Sequence, residues 1–251
     1  MKLLYLDCGM GAAGDMLGAA LAELLPDAER DVFVAEINNA GIPGTEVSLK
    51  PSIKCGITGT HLTVTVDGEE EEVHDHEHGH SHEHEHSGHE HLHEDSRVHS
   101  HAHGHEEHCD HGHGGHTHEH EHTHGHHAHR SLHDIQHIIA DLKLPETVRQ
   151  DILAVYSLIA EAESKAHDKL VSEIHFHEVG TMDAIADIAS VCLLLHKLAP
   201  DQIVASPVHV GNGQVKCAHG ILPVPAPATA YILKDVPIYG GQIQGELCTP
   251  T

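Results

Sequence analysis

Hydrophobic and polar residues alternate along this chain with a period that changes several times, and the changes outline its elements. The run Leu3-Leu4-Tyr5-Leu6 predicts a buried strand over residues 2–8, and "DMLGAALAELL" after Gly14 has the length and alanine and leucine content of a helix. A second short helix is expected from Glu29 to Asn39, ended by Gly41-Ile42-Pro43-Gly44. Period-2 alternation follows in "TEVSLKPSI" and "THLTVTVDG", and Cys55-Gly56 between them predicts an antiparallel pair.

Helical periodicity returns beyond His129. Ser131 stands where it can cap "LHDIQHIIADL", and Pro145 occupies a first-turn position. Val148, Ile152, Val155, Tyr156 and Ile159 then fall on one face of the next helix. From about Asp183 to Leu198 the chain is apolar almost all round, so that helix is expected in the core. The stretch from Ile203 to Leu233 reads as short strands and tight turns leading through a proline ladder into a short helix. The expected class is α/β or α+β, a mixed small sheet with packed helices, interrupted by a long disordered His-rich insertion. The pieces are residues 1–68, the insertion 69–129, and residues 130–251, which are expected to pack with 1–68.

The insertion changes the charge picture most. It holds 25 of the 34 histidines, 16 of the 39 acidic residues and one basic residue, Arg97, so it carries −15 of the formal −26. What remains is a moderately acidic body without a basic stripe, which argues against nucleic acid as a partner. Six cysteines at 8, 55, 109, 192, 217 and 248 form no C-x-x-C pair; in a chain of this size they read as reduced thiols in a cytoplasmic protein. The apolar start is too short for a signal peptide and is broken by Asp7. No stretch is long enough to span a bilayer, so no membrane partner is expected.

Between the first strand and helix, "DCGMGAAGDM" spells G-x-G-x-x-G, and Glu36 lies about 20 residues on, where a dinucleotide fold places its ribose-binding acid. The hairpin-like alternation that follows does not repeat βαβ units. Gly9, Gly11 and Gly14 also suit close helix packing, or an anion at the helix amino end. Asp15 either caps that helix or takes part in the chemistry. A P-loop is excluded, because no glycine precedes any lysine.

Within the insertion, histidines alternate with Glu, Gly, Ser and Ala, most densely at His74, His76, His78, His80, His82, His84 and His86 and at His116, His118, His120, His122, His124 and His126. Neutral imidazole binds Ni, Zn, Cu and Co, and neighbouring carboxylates add oxygen ligands and negative charge. So few apolar residues cannot offset the entropy of ordering, so several ions in exchanging sites are expected on a tract disordered without metal. Ligation needs deprotonated imidazole, so loading should fall as pH drops through about 6.5. Composition alone does not select nickel.

In the second half, "EIHFHEVGTMDAIADIAS" is the most chemically loaded stretch. His175 and His177 project to one side of an extended chain, and Glu178 follows directly. Thr181 can cap the next helix, where Asp183, Asp187 and Ser190 at i, i+4 and i+7 give a greasy helix one polar stripe. That pattern suits a divalent metal, a phosphorylated ligand or both, or else a solvated helix face. His209, Gly211, Gly213 and His219-Gly220 lie in turn-rich sequence where backbone amides can meet a ligand. Cys8 and Cys217 are either soft-metal ligands or small buried side chains.

Taken together, "LDCGMGAAGDM", the His-rich insertion, "HFHEVGTMDAIADI", "PVHVGNGQV", "HGILPVPAPA" and the terminal "GELCTPT" resemble the nickel insertases of nickel-pincer cofactor synthesis, the LarC family. The resemblance covers nearly the whole chain. It implies insertion of Ni(II) into a pyridinium mononucleotide bearing two thiocarboxylates, with hydrolysis of CTP, to supply lactate racemase and related enzymes. In the family pattern the turn runs phenylalanine-serine-glycine-x-x-glycine-aspartate-methionine. Gly11, Gly14, Asp15 and Met16 match it, and the fuller G-x-G-x-x-G is accidental.

The family pattern continues past "TPT" into a further domain that carries the nucleotide, so this chain is expected to need a C-terminal portion for CTP and its divalent cation. The resemblance and the residue chemistry together nominate Asp15, Asp183 and Asp187 as catalytic carboxylates. Gly11, Gly14 and Thr181 are nominated to bind the precursor, and His175, His177, Glu178 and the tract histidines to bind metal. Partners implied are the mononucleotide, the C-terminal portion and the apo racemase, in an oligomer. The competing readings are a metal-buffering or nickel storage protein without catalysis, and a nucleotide-dependent oxidoreductase.

Overall fold

The computed structural model describes residues 1–70, 130–176, 178–217 and 219–251. The predicted tract ligands from His74 to His126, and His177, lie outside the described residues. The architecture is a mixture of helices and small sheets, as the sequence predicts.

Strand β1 (Leu3–Leu6) pairs in parallel with Gln202–Ala205, Leu3 opposite Gln202 and Leu6 opposite Ala205. Its expected burial is not observed: Leu3 and Tyr5 are 53% and 59% exposed. A two-stranded sheet leaves one face open, and only the Leu4 side packs on the core. Beyond β1 come α1 (Gly14–Glu23) and α2 (Asp27–Asn39), then the long strands β2 (Thr45–Lys54) and β3 (Ile57–Val66). These two pair antiparallel from Thr45 opposite Val66 to Lys54 opposite Ile57, closed by Cys55 and Gly56, both at positive φ. That is the mirror-image two-residue turn whose twist matches its strands.

After the insertion, α3 (Leu132–Asp141) begins with a capping box. Ser131 Oγ accepts from the Asp134 N–H, and the Ser131 N–H donates to Asp134 Oδ2. Helix α4 (Glu146–His167) follows, with Pro145 at its N-cap, one residue before the first-turn position expected of it. Pro145 has an extended ψ of 143°, so its fixed φ guides the chain into the helix without joining it.

Helix α5 (Met182–Leu198), capped by Thr181, is the hub of the fold, with eleven residues buried. α1, α2, α4 and β3 pack around it, and α6 (Pro227–Ile232) packs on α4. One apolar cluster, with Phe33, Leu62, Ile152, Tyr156 and Ile185 among its members, is drawn from both sides of the insertion. A second, small one holds Cys8, Val208, Val210 and Cys248. No described helix is long and apolar enough to cross a membrane.

Candidate functional site

The parallel pairing of β1 with Gln202–Ala205 sends both strands out at the same edge. Ligands of open α/β sheets gather at such carboxyl ends. The chain there turns through residues 7–13 on one side and 206–213 on the other. Cys8 N–H donates to Ser206 Oγ (2.9 Å), while Gly11 N–H and His209 N–H both donate to Cys8 O (3.1 Å each). The terminal segment closes over this knot. Ala12 N–H donates to Leu247 O (2.8 Å), Thr249 N–H donates to Ala12 O (3.1 Å), and Gly245–Glu246 pairs antiparallel with Gly211–Asn212. Three separate stretches of the sequence thus become one layer.

Gly11 has φ +103°, and a Cβ there would overlap the Leu247 carbonyl. That backbone approach by itself requires glycine here. Gly14 opens α1, and a Cβ there would lie 2.9 Å from Asp187 Cβ and Oδ2. At Gly18, one turn on, a Cβ would lie 2.8 Å from Leu62 Cδ1 on β3, with Val191 of α5 at an ordinary 3.9 Å. Gly14 lets α1 settle on α5, which brings Asp187 to the amino end of α1, and Gly18 lets the same helix approach β3. That end carries no side-chain cap, and Asp15 sits half-buried in its first turn.

The polar stripe of α5 is not a solvated face: Asp187 is 8% exposed and Ser190 is fully buried. Tyr156 from α4 lies beneath it and donates to Val179 O (3.2 Å). Burial pushes the Tyr156 hydroxyl far up, the charges of Asp187 and Asp183 add to that, and Arg130 opposes them. Arg130 donates to Gly180 O (2.8 Å), tying the start of the second half to the turn before α5. Thr181 is the N-cap, its Oγ1 accepting from the Ala184 N–H (3.3 Å).

Asp183 in the first turn of α5 and Asp15 with Asp187 at α1 surround both helix amino ends with carboxylates. His175 is exposed, in a two-residue strand with Phe176 that pairs with Arg130–Ser131. Among the described residues, no three His, Cys, Asp or Glu side chains converge to hold a metal ion.

His209 lies in the layer formed by the terminal segment. It is 6% exposed, stacked on Tyr239 with ring centroids 4.7 Å apart and planes 4° apart. Its Nδ1 is 3.1 Å from Gly9 O, and a carbonyl only accepts, so Nδ1 carries the hydrogen and Nε2 the lone pair in the neutral ring. Nε2 is buried against Gly241, with no hydrogen-bond partner among the described residues. Fixing one ring nitrogen by a carbonyl is how proteins orient the other for a ligand. The sequence singled out His209 but not its partner Tyr239, nor Arg130 and Tyr156. A tyrosine within an apolar helical stripe is the one signal that pointed to Tyr156.

The thiols here are buried. Burial raises Cys8, with Asp7 adding to it, and raises Cys248 to about 11, with Glu246 and Cys8 adding. Cys192 is raised to about 12. At pH 8 the Cys248 thiolate fraction is then about one in a thousand. Iodoacetamide at pH 8 should therefore modify the exposed Cys55 well before Cys8, Cys192 or Cys248, as peptide mass spectrometry would show. Early labelling of Cys8 or Cys248 would mean an open, activated thiol at this site.

These features define a mixed helix-and-sheet protein in which the amino end of α1, with Asp187 beside it, and the oriented His209 each follow a strand of one parallel pair. The family model described as nickel insertion protein matches residues 4–251, and the chain belongs to that family. The pyridinium-3,5-bisthiocarboxylic acid mononucleotide nickel insertion protein of Clostridium kluyveri is 37% identical over all of this chain and 51% of its own length. That of Clostridium acetobutylicum is 40% identical over all of this chain and 54% of its own length. The Staphylococcus saprophyticus protein of the same name is 49% identical over 50% of this chain and 32% of its own length. The chain spans about half the length of the first two relatives. No solved structure matches it.

Proposed function

We infer that this chain binds Ni(II) as a substrate and positions it for insertion into pyridinium-3,5-bisthiocarboxylic acid mononucleotide, the role its curated relatives are named for. The observation that most supports this is the meeting of the stretches around Gly11, Asp187, His209 and Cys248 at one edge of the fold, where carboxylates set a field suited to a dication.

In this reading the tract histidines concentrate the ion, and His175, His177 and Glu178 deliver it. Asp15, Asp183 and Asp187 act as the catalytic carboxylates at the amino ends of α1 and α5, without forming a three-ligand metal site of their own. The phosphate of the mononucleotide takes backbone amides near Gly14 or Thr181 once the metal offsets the acidic field. CTP hydrolysis with its divalent cation is assigned to the part of the relatives that this chain does not cover. The whole enzyme is then a CTP-dependent nickel insertase, a cyclometallase of the lyase class, acting in the cytoplasm as an oligomer. Its product serves an apo lactate racemase or a related enzyme.

The test is nickel transfer from the loaded chain to the mononucleotide with CTP, with and without the remaining half supplied from a full-length relative. Transfer only when that half is present is the expected result. Bound nickel that transfers in neither arm would make the chain a metal store.

A further inference from the structure

The insertion reading makes no use of His133 and His137, one turn apart on α3, the first helix after the His-rich insertion. Both are exposed. Their Nε2 atoms approach to 3.2 Å, and the rings meet edge to face with centroids 4.4 Å apart and planes at 81°. An i, i+4 spacing places two side chains on the same helix face, and a histidine pair at that spacing is a recurrent two-point metal clamp.

We propose that His133 and His137 form a two-imidazole chelating site for a borderline divalent cation such as Ni(II), its remaining positions filled by water. Three observations carry it. With metal–nitrogen bonds of about 2.0–2.1 Å, nitrogens 3.2 Å apart subtend roughly 100° at the metal, between the octahedral and tetrahedral angles. Both rings face solvent, so they can turn about χ2 to aim their lone pairs at one ion without displacing core side chains. The helix beneath is rigid at its amino end, because the Ser131–Asp134 capping box fixes its first turn, and Asp134 adds a negative charge close to both rings.

Without metal, one Nε2–H donates to the other Nε2. With metal, both Nε2 atoms ligate, and the ring that gave up its Nε2 hydrogen carries it on Nδ1. No net proton is released and no further reactant is needed. No third described carboxylate, thiol or imidazole joins the pair, so the ion is held by two side chains and exchanges readily. An exposed two-ligand site on the first helix after the His-rich insertion suits transit, not storage.

The proposal is independent of insertion and is tested without it. Amide hydrogen exchange of a peptide covering residues 131–142 is followed in the full chain, with and without Ni(II) in excess of the total histidine content. A clamp across one turn must break before those amides open, so free Ni(II) at ten times the dissociation constant should slow their exchange about tenfold. His133→Gln and His137→Gln should each abolish the slowing, since one imidazole does not chelate. His196→Gln on α5 should keep it. Unchanged exchange in a peptide from the middle of α4 shows that each variant is folded. No slowing in the unaltered chain, or slowing that survives both glutamine variants, would overturn the site.

Discussion

Gly11→Ala is expected to cost the fold about 3–5 kcal/mol, read as a fall of roughly 2 M in the urea midpoint. Two effects combine. The backbone at φ +103° lies in the region that only glycine occupies freely, which costs an alanine about 1–2 kcal/mol. The added methyl would also overlap the Leu247 carbonyl, which belongs to backbone and cannot swing aside as a side chain does. Relief requires the terminal segment to move, and that breaks the bonds from Ala12 N–H to Leu247 O and from Thr249 N–H to Ala12 O. Gly41→Ala separates the two effects. Its φ of +93° carries the same conformational cost, yet nothing lies within 4 Å of the new methyl, so a loss of only about 1–2 kcal/mol is expected. Equal losses at the two positions would mean that the terminal segment is not closed over the glycine-rich turn.

Much of this fold was legible because its signals are local. The helix stops at Gly41–Gly44, the two-residue turn at Cys55-Gly56, the Ser131 cap and the apolar α5 each depend on residues a few positions apart. The burial of β1 is not legible in the same way, because an apolar run shows that a strand has one packed face, but not whether a sheet covers the other. The glycine-rich turn shows the limit most clearly. Its spacing fits a dinucleotide fold, but what it fits here is a backbone more than 230 positions away and a carboxylate on α5. No local pattern encodes such a partner. The same holds for His209, whose meaning comes from Gly9 and Tyr239, both distant from it in the sequence. The Asp183, Asp187 and Ser190 stripe was visible as polarity on an apolar helix. That Asp187 and Ser190 are buried, above a tyrosine and against α1, followed only from the packing.

That packing also explains how a catalytic assignment can be separated from a structural one. Asp187, His209 and Tyr156 are buried and bound into the fold, so replacing any of them changes stability and site together. His175 differs: it is exposed, and its backbone pairs with Ser131. Removing its imidazole should leave stability within about 0.5 kcal/mol of the unaltered chain.

Nickel transfer is where the loss is expected. If His175 and His177 deliver the ion, His175→Ala combined with His177→Ala should lower transfer at limiting Ni(II) by at least about 100-fold. Even residues that only orient a metal ligand cost 10–100-fold when replaced. Deleting residues 74–126 should act differently, raising the Ni(II) concentration needed for half-maximal transfer while leaving the rate at saturating Ni(II) nearly unchanged. Two distinct kinetic signatures then follow from one chain, because a concentrating tract acts on the supply of the ion and a delivering pair acts on the step that consumes it. Unaltered transfer by the double variant at limiting Ni(II) would remove the pair from the delivery step and leave the acidic ends of α1 and α5 as the place to look.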